Sequence, residues 1–432
     1  MRSTGRFMLR GTESTFVGSA WAWIVSPIGT AILALGVTQI VAWGTTLYAL
    51  GVLASPIAAD TGWSRTLVFS GLTIGLLASS FVSTAVGKAI DTKGARLVMS
   101  VGSVLCAASL LIVAAATHSA VYLAGWAIMG LGMRMTLYDA AFAALVQVAP
   151  HRGRRAISYL TLFGGFASTF FWPIGHILTG EFGWRLTLVI YAGFNIFVCL
   201  PLHWWGLARR EKPLPGLTIG ETQAPSAEAE PPLEGQARTL AILLFAVVTS
   251  ASAFVFGAMA VHLPAVLEAN GLSAAAAVGL ASLKGVAQVA GRVAEILFGR
   301  RLHAIDLGRI SVGGMPLAFI VLMAGSGSYS AALMFIIFFG IANGLVTIVR
   351  GAVPLALFGP QGYGTVLGVL ATPYLLVNAL APAILAIVVD LWGYTIAEAV
   401  VLAAGLLSAA SMEFMAIWYR RRPKAGAAQI PG

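Results

Sequence analysis

The chain has 432 residues, of which 59% belong to the hydrophobic set AVILMFWYC and only 10% are charged, with a formal net charge of +10. A soluble globular protein is usually about 45–50% apolar and about 25% charged. The composition therefore excludes an ordinary soluble enzyme, a disordered chain and a disulfide-rich scaffold. It predicts a protein that crosses a membrane many times.

Apolar runs long enough to cross a bilayer as helices, which takes about 20 residues, recur along the whole chain. They lie near residues 26–53, 66–86, 97–117, 120–149, 156–178, 184–205, 239–267, 273–298, 308–326, 330–350, 363–389 and 395–418. Only helices and closed barrels cross lipid, and barrel strands are only about ten residues long. We therefore predict an all-α membrane protein with twelve transmembrane helices.

The longest polar interruption runs from Gly206 to Arg238 and is rich in proline and glutamate. Such a composition does not form a packed core. This segment predicts three parts of the chain: an N-terminal six-helix bundle over 1–205, a linker over 206–238 and a C-terminal six-helix bundle over 239–432.

The two predicted halves repeat at an offset of 210 residues. Residues 144–150 (ALVQVAP) match 354–360 (PLALFGP), and the same offset aligns Gly183-Trp184 with Gly393-Tyr394. A duplicated six-helix unit predicts two bundles related by an internal repeat, which is typical of secondary transporters.

Basic residues collect in the loops on one side of the predicted bundle. The loops of that side contain Lys88, Lys93, Arg96, Arg152, Arg154, Arg155, Arg209, Arg210, Arg300, Arg301, Arg309, Arg420, Arg421 and Arg422. The positive-inside rule predicts that this side, the linker and both termini face the cytoplasm. The membrane is then the inner (plasma) membrane of the cell. We therefore interpret the basic residues as topology signals and expect no nucleic-acid partner.

Cofactor and metal sites are not predicted. The only two cysteines, Cys106 and Cys199, lie inside apolar runs, and no cysteine–histidine spacing of a metal site occurs. No phosphate-binding Gly-x4-Gly-Lys-Ser/Thr loop occurs either. Because one chain can form both bundles, we expect a monomer.

The loop after the second span reads Gly87-Lys-Ala-Ile-Asp91-Thr-Lys-Gly94-Ala-Arg96. This pattern resembles the loop signature of the major facilitator superfamily, and the second half carries a weaker copy from Gly299 and Arg300 to His303. The resemblance implies a latch that joins the two bundles on the cytoplasmic side in one state. An ordinary turn with topology-setting charges is the alternative. The predicted gate residues are Gly87, Asp91, Gly94, Arg96, Arg292, Glu295, Gly299 and Arg300.

A second resemblance concerns the segment Gly62-Trp63-Ser64-Arg65, which looks like bacterial members related to oxalate/formate antiporters and monocarboxylate carriers. It implies that the substrate is a small carboxylate.

Two basic residues lie deep inside predicted spans, where charged groups are costly and are candidates for function. Arg134 is near the middle of the fourth span, and Lys284 is about 11 residues into the eighth. Lys284 has no acidic residue within one turn, so an anionic substrate would supply its missing counter-ion. Arg134 either pairs with Asp139 or leaves Asp139 to bridge to another helix, and protonation of Asp139 would couple transport to protons.

Further residues share helical faces with these charges or lie on other spans at spacings of four. Tyr138 lies one turn after Arg134, and Gln288 one turn after Lys284, followed by Arg292 and Glu295, which either pair with each other or belong to the gate. The pairs Gln39 and Trp43, and Tyr374 and Asn378, are the remaining predicted substrate-binding residues. Packing or a hydrogen bond between helices is the alternative role for each of them.

The predicted function is secondary transport of a small organic anion by alternating access, with symport, exchange and export all left open. Efflux of drugs or other toxic compounds on the same fold is the alternative. An enzyme would need a convergent acid–base or metal constellation, and the sequence contains none, although a sensor that keeps the fold remains compatible with it.

Overall fold

The computed structural model describes residues 23–211, 231–325 and 327–422, and within them every regular element is a helix. The spans are α1 (Pro27–Thr61), α2 (Arg65–Lys93), α3 (Ala95–Ala115), α4 (Ser119–Val148), α5 and α6 (together Pro150–Gly206), α7 (Gly235–Ala269), α8 (Ala274–Phe298), α9 (Ala304–Ala324), α10 (Tyr329–Phe358), and α11 and α12 (together Tyr363–Arg421). Their lengths and hydropathies suit membrane crossing. Ten helical segments of the described residues meet this criterion, and dividing the two longest at the breaks described next gives twelve spans, as predicted.

Two glycines divide the longest helical segments into separate spans. Gly183 has φ 75° and ψ 165°, and Gly393 has φ 78° and ψ 176°, a conformation that only glycine adopts without strain. They divide the segments into α5 (150–182) and α6 (184–206), and into α11 (363–392) and α12 (394–421). Both breaks fall at the offset of 210 residues, which supports the internal repeat.

The fourth span is interrupted, contrary to the prediction of one continuous helix over 120–149. Its first segment ends at Thr136 and its second begins at Tyr138, with Leu137 extended between them at ψ −172°. Helical periodicity therefore does not carry across this break from Arg134 to Tyr138, although both side chains line the cavity described below.

Several spans are longer than predicted. The first span continues past Leu53 to Thr61 after a break at 46–48, and α10 continues past Arg350 to Phe358. This extension puts Arg350 eight residues inside a span rather than at its end. Helix α6 ends at Gly206, where the predicted linker begins, and helix α7 begins at Gly235, before the predicted end of the linker at 238.

The described ends of the linker are both held by the bundle. The amide of Glu211 donates to the carbonyl of Val148 over 2.8 Å, and the amide of Leu233 donates to that of Leu357 over 2.8 Å. Residues 1–22, 212–230 and 423–432, and with them the predicted cytoplasmic location of both termini, lie outside the described residues.

The halves meet through α2 against α11 and α5 against α8 and α10. Along α2 and α11 the backbones approach closely, since a Cβ added to Gly87 would lie 2.2 Å from the carbonyl oxygen of Gly364. Small residues permit this approach between membrane helices. The interface between the halves contains both the cavity and the latch described below.

Candidate functional site

A cavity of about 160 Å³, here called the central cavity, lies between the two halves near the middle of the spans. It is lined by parts of α1, α2, α4, α10 and α11. Six residues predicted for substrate binding or proton coupling line it: Trp43, Arg134, Tyr138, Asp139, Tyr374 and Asn378. The sequence analysis thus selected side chains from three different spans that the fold brings together.

One carboxylate in the central cavity is shared between two arginines. Arg350 Nη2 lies 3.0 Å and 3.2 Å from the two carboxylate oxygens of Asp139, and Arg134 Nη1 lies 3.6 Å from Oδ2. The two possibilities left open for Asp139 therefore both occur, since it pairs with Arg134 and also bridges to another helix. The three side chains together carry one excess positive charge.

Each arginine of this group has a second neighbour that fixes it. Arg134 is 4% exposed, and its Nε donates to Ser83 Oγ over 2.5 Å. The guanidinium of Arg350 stacks on the Tyr374 ring at 3.7 Å from the centroid. An aromatic face attracts a cation placed over it, so the Tyr374 ring helps to hold the Arg350 guanidinium in this position.

Arg350 was missed because the predicted span ended at that residue, which made it look like a loop charge. A usable signal was present in the repeat. The offset of 210 residues places Arg350 one position beyond the equivalent of Asp139, in a segment whose other residues are almost all apolar.

The break in α4 interrupts the backbone hydrogen bonds of the helix, and a side chain from α1 supplies a hydrogen bond there. Gln39 Nε2 donates to the carbonyl oxygen of Thr136 over 2.8 Å, and Gln39 Oε1 accepts from Trp43 Nε1 over 3.2 Å. Discontinuous spans near mid-membrane are a feature of transporter binding sites. Gln39 therefore supports the break and orients Trp43, and it does not line the central cavity.

Lys284 and Gln288 do not line the central cavity either. Lys284 Nζ lies 6.0 Å from the centroid of the Phe339 ring, and no carboxylate in the described part of the chain forms an ion pair with it. Their role in substrate binding stays a prediction.

The carboxylate of Asp91 joins the halves at the end of the bundle that carries the loop 87–96, here called the basic end. It accepts hydrogen bonds from the amides of Gly364 and Thr365, at 2.9 Å and 2.7 Å, and from Thr365 Oγ1 at 2.6 Å. These groups form the first turn of α11, where a carboxylate is favoured by the helix dipole. Asp91 thus connects α2 to α11 in this conformation, and the role of this contact as a latch stays a prediction.

A second connection at the basic end joins α5 to α8. Arg154 donates to the carbonyl of Leu302 over 2.5 Å and to that of Gly299 over 3.3 Å, and it lies 3.7 Å from Glu295. Arg292 Nη1 donates to the carbonyl of Thr161 over 2.7 Å. Arg292 and Glu295 therefore do not pair with each other but contact the opposite half, as the gate interpretation expects.

The central cavity and this second connection share an acceptor. The hydroxyl of Tyr138 donates to the same Thr161 carbonyl oxygen over 3.2 Å. Since the Tyr138 ring lines the cavity and Arg292 belongs to α8, one carbonyl links the cavity to the contact between the halves.

The remaining gate candidates have other surroundings. The Arg96 guanidinium stacks on Trp204 of the same half at 4.0 Å, and Gly94 caps α3 with φ 87°. The carbonyl of Gly299 accepts the hydrogen bond from Arg154 given above. Arg300 lies in the short turn Gly299–Arg301, and only its backbone is described. Arg96 thus does not join the two halves in this conformation.

The sequence profile of the Major Facilitator Superfamily matches residues 33–336. This match spans more than half of the chain. The chain belongs to the Major Facilitator Superfamily. The resemblance noted at Gly87–Arg96 is confirmed at the level of the superfamily, whereas the finer likeness to oxalate/formate antiporters and monocarboxylate carriers is not confirmed. No curated protein matches the sequence.

Solved structures with a similar fold include several transporters. The human organic anion transporter MFSD10 (TETRAN) has a TM-score of 0.65 and 16% identity, covering 90% of this chain and 98% of that one. The proton:xylose symporter XylE has a TM-score of 0.63 and 14% identity, and the match covers 91% of this chain and 96% of that one. The E. coli fucose:proton symporter FucP has a TM-score of 0.62 and 14% identity, and the match covers 89% of this chain and 98% of that one. At these identities the likeness shows the fold, and the family is one of transporters rather than enzymes.

Proposed function

We propose that this protein is a secondary transporter of a small organic anion, a carboxylate, working by alternating access. The observation that carries the proposal is the sharing of Asp139 between Arg134 and Arg350. One carboxylate cannot neutralise two guanidinium groups, and a surplus charge in a buried cavity is costly unless it is paired. A carboxylate substrate would supply the missing negative charge, and planar guanidinium groups match carboxylate geometry.

The size of the central cavity favours a small substrate over a drug. Sites for drug-sized molecules usually enclose about 300–1,000 Å³, against about 160 Å³ here. The excess of positive charge also disfavours cationic compounds. Efflux of toxic compounds remains the second candidate.

Asp139 is the proposed site of proton coupling. When the carboxylate is protonated, it no longer neutralises either arginine, so substrate binding and protonation would favour each other. The test compares pH-dependent accumulation in proteoliposomes containing wild-type protein or Asp139→Asn. Full pH-dependent accumulation by the variant would exclude this coupling.

We also propose that the basic end faces the cytoplasm of a cell whose inner (plasma) membrane contains the protein, and that the latch there closes the cytoplasmic path in the present conformation. The positive-inside rule supports the orientation. Gly87, Asp91, Arg292, Glu295 and Gly299 would then be gate residues, and the protein would act as a monomer with one path between its halves.

The experiment that tests the substrate class measures thermal stabilisation of the purified protein by small carboxylates, sugars and cationic dyes. A ligand that binds the folded state raises its stability in proportion to the logarithm of its concentration over its Kd. Arg134→Ala, Arg350→Gln and Lys284→Ala are compared with Arg65→Gln, an exposed arginine at the opposite end.

We expect stabilisation by carboxylates that Arg134→Ala and Arg350→Gln lose and Arg65→Gln keeps. A loss in Lys284→Ala as well would add Lys284 to the site. Stabilisation by dyes alone, kept in all variants, would instead favour the second candidate and remove the anion from the proposal.

A further inference from the structure

Tyr138 lines the central cavity and is held there by several neighbours. It is the first residue after the break in α4, and it is 6% exposed. The Trp43 ring lies 5.1 Å from the Tyr138 ring and the Phe142 ring stacks on it at 5.3 Å, both measured between centroids. The Tyr138 hydroxyl donates to the Thr161 carbonyl oxygen over 3.2 Å. Both the ring and its far end therefore have fixed contacts.

The hydroxyl of Tyr138 occupies the space that a side chain at position 164 would fill. A Cβ added to Gly164 would lie 2.0 Å from Tyr138 Oη and 2.7 Å from Tyr138 Cζ. Atoms that are not bonded to each other prefer a separation of about 3.5–4.0 Å, so the tyrosine would have to move. Gly164 itself does not line the central cavity. A side chain there would therefore displace the Tyr138 ring toward the cavity.

Gly164 belongs to a face of α5 that receives one side chain from each half. Thr161, Gly164 and Gly165 are three and four residues apart, and so they share one helical face. A Cβ added to Gly165 would lie 2.8 Å from Arg292 Nη1. Tyr138 and Arg292 both donate to the Thr161 carbonyl. The glycine at 164 thus makes room for the tyrosine, and the glycine at 165 makes room for the arginine.

Glycine inside a helix calls for a reason, because it is the poorest helix former after proline. Gly164 lies within the helical first segment of α5. The repeat supplies a comparison, since the offset of 210 residues aligns Gly164 with Tyr374. Tyr374 lines the central cavity from α11. In the N-terminal half the tyrosine comes from α4 instead, and the aligned position on α5 has no side chain.

We propose that Gly164 is a positioning residue for the size of the substrate: it lets Tyr138 withdraw from the central cavity and so sets how long a carboxylate the cavity accepts. This inference rests on the proposed function, because it concerns the same cavity. Gly164 acts only through the tyrosine. In a cavity of about 160 Å³ the displacement of one ring decides which substrates fit, since a packed site admits extra atoms only with strain.

The test measures thermal stabilisation of the purified full chain by formate, propionate and hexanoate, from which the Kd of each follows. Gly164→Ala is compared with Gly180→Ala. Gly180 is exposed elsewhere on α5, and a Cβ added there has no atom within 4 Å beyond its own helical turn. The control therefore makes the same change in helix propensity without a new contact.

We expect Gly164→Ala to weaken binding of the longest carboxylate that wild type binds by about tenfold more than it weakens binding of formate. Tenfold is the lower end of the effect of one methylene in a pocket. Gly180→Ala should keep the wild-type ratio of the two Kd values. A change in this ratio reports the shape of the cavity, which a loss of stability alone does not alter.

A second background shows whether Gly164 acts through the tyrosine. Tyr138→Leu removes the hydroxyl and the end of the ring that Gly164 admits. In that background Gly164→Ala should leave the binding ratio unchanged and shift the midpoint of chemical unfolding no more than Gly180→Ala does. With Tyr138 present, Gly164→Ala should lower the unfolding midpoint in spite of its better helix propensity. The unfolding measurements need no ligand.

An equal effect of Gly164→Ala in both backgrounds would overturn the proposal, because the glycine would then serve only the packing of α5. An unchanged binding ratio in Gly164→Ala would overturn it as well, even if the stability fell. Failure of the proposed function looks different. None of the carboxylates would then stabilise wild type, and the selection by size would fall with it.

Discussion

Removing the charge of Asp139 is the sharpest perturbation that the central cavity offers. In Asp139→Asn the contacts at 3.0 Å and 3.2 Å to Arg350 and at 3.6 Å to Arg134 lose their negative partner. Two guanidinium groups then share a buried cavity without a counter-ion. Breaking a buried ion pair on one side costs about 3–5 kcal/mol, and we expect a loss of unfolding free energy in that range.

A double variant separates the effect of the uncompensated positive charge from the effect of the lost contacts. Asp139→Asn combined with Arg350→Gln restores the original excess of one positive charge, so the double variant should be more stable than Asp139→Asn alone. Coupling energies between residues in direct contact are about 0.5–3 kcal/mol. The measurement is chemical unfolding of the four proteins of this cycle in the same detergent.

The matched control is Asp60→Asn at the opposite end of the bundle. Asp60 pairs with Arg185 at 3.2 Å, but its side chain is 52% exposed, and exposed ion pairs contribute only about 0–1 kcal/mol. If Asp139→Asn were no more destabilising than Asp60→Asn, or if Arg350→Gln failed to recover any stability, the charge-sharing interpretation of the cavity would be refuted.

Four further variants test the break in α4, the repeat and the latch. Gln39→Leu leaves the Thr136 carbonyl unpaired and should cost about 1–3 kcal/mol in chemical unfolding, and an unchanged midpoint would contradict its role. Gly183→Ala and Gly393→Ala should each cost about 1–3 kcal/mol through backbone strain, and clearly unequal losses would argue against equivalent breaks. Asp91→Asn should speed hydrogen exchange in the first turn of α11 severalfold, while unchanged exchange would show that the latch does not depend on this charge.

Much of the architecture could be predicted because membrane crossing imposes length and hydropathy on each span. The twelve spans, the long interruption before α7 and the repeat at 210 residues are all visible in the sequence, and Gly183 and Gly393 break the helices where the repeat aligned them. The resemblance at the loop 87–96 likewise implied a contact between the two bundles there, and Asp91 forms one with the first turn of α11.

The central cavity could be predicted only in part. Arg134 and Asp139 stood out because charges are rare in apolar spans, but Arg350, which shares the Asp139 carboxylate with Arg134, lies 211 residues further along the chain from Asp139. Periodicity says which residues share a face of one helix, and says nothing about which faces of different helices meet. It also assumes a continuous helix, which the break at Leu137 contradicts.

The sequence by itself thus determined the fold class, the family and the presence of costly buried charges, because each depends on local composition or on a short motif. Only the tertiary structure decided how those charges combine. Packing of α4 against α10 and α11 places two arginines on one carboxylate, and packing of α5 against α8 gives Arg292 a carbonyl instead of Glu295. Both results depend on the distances between helices that are far apart in the chain, which no local pattern records.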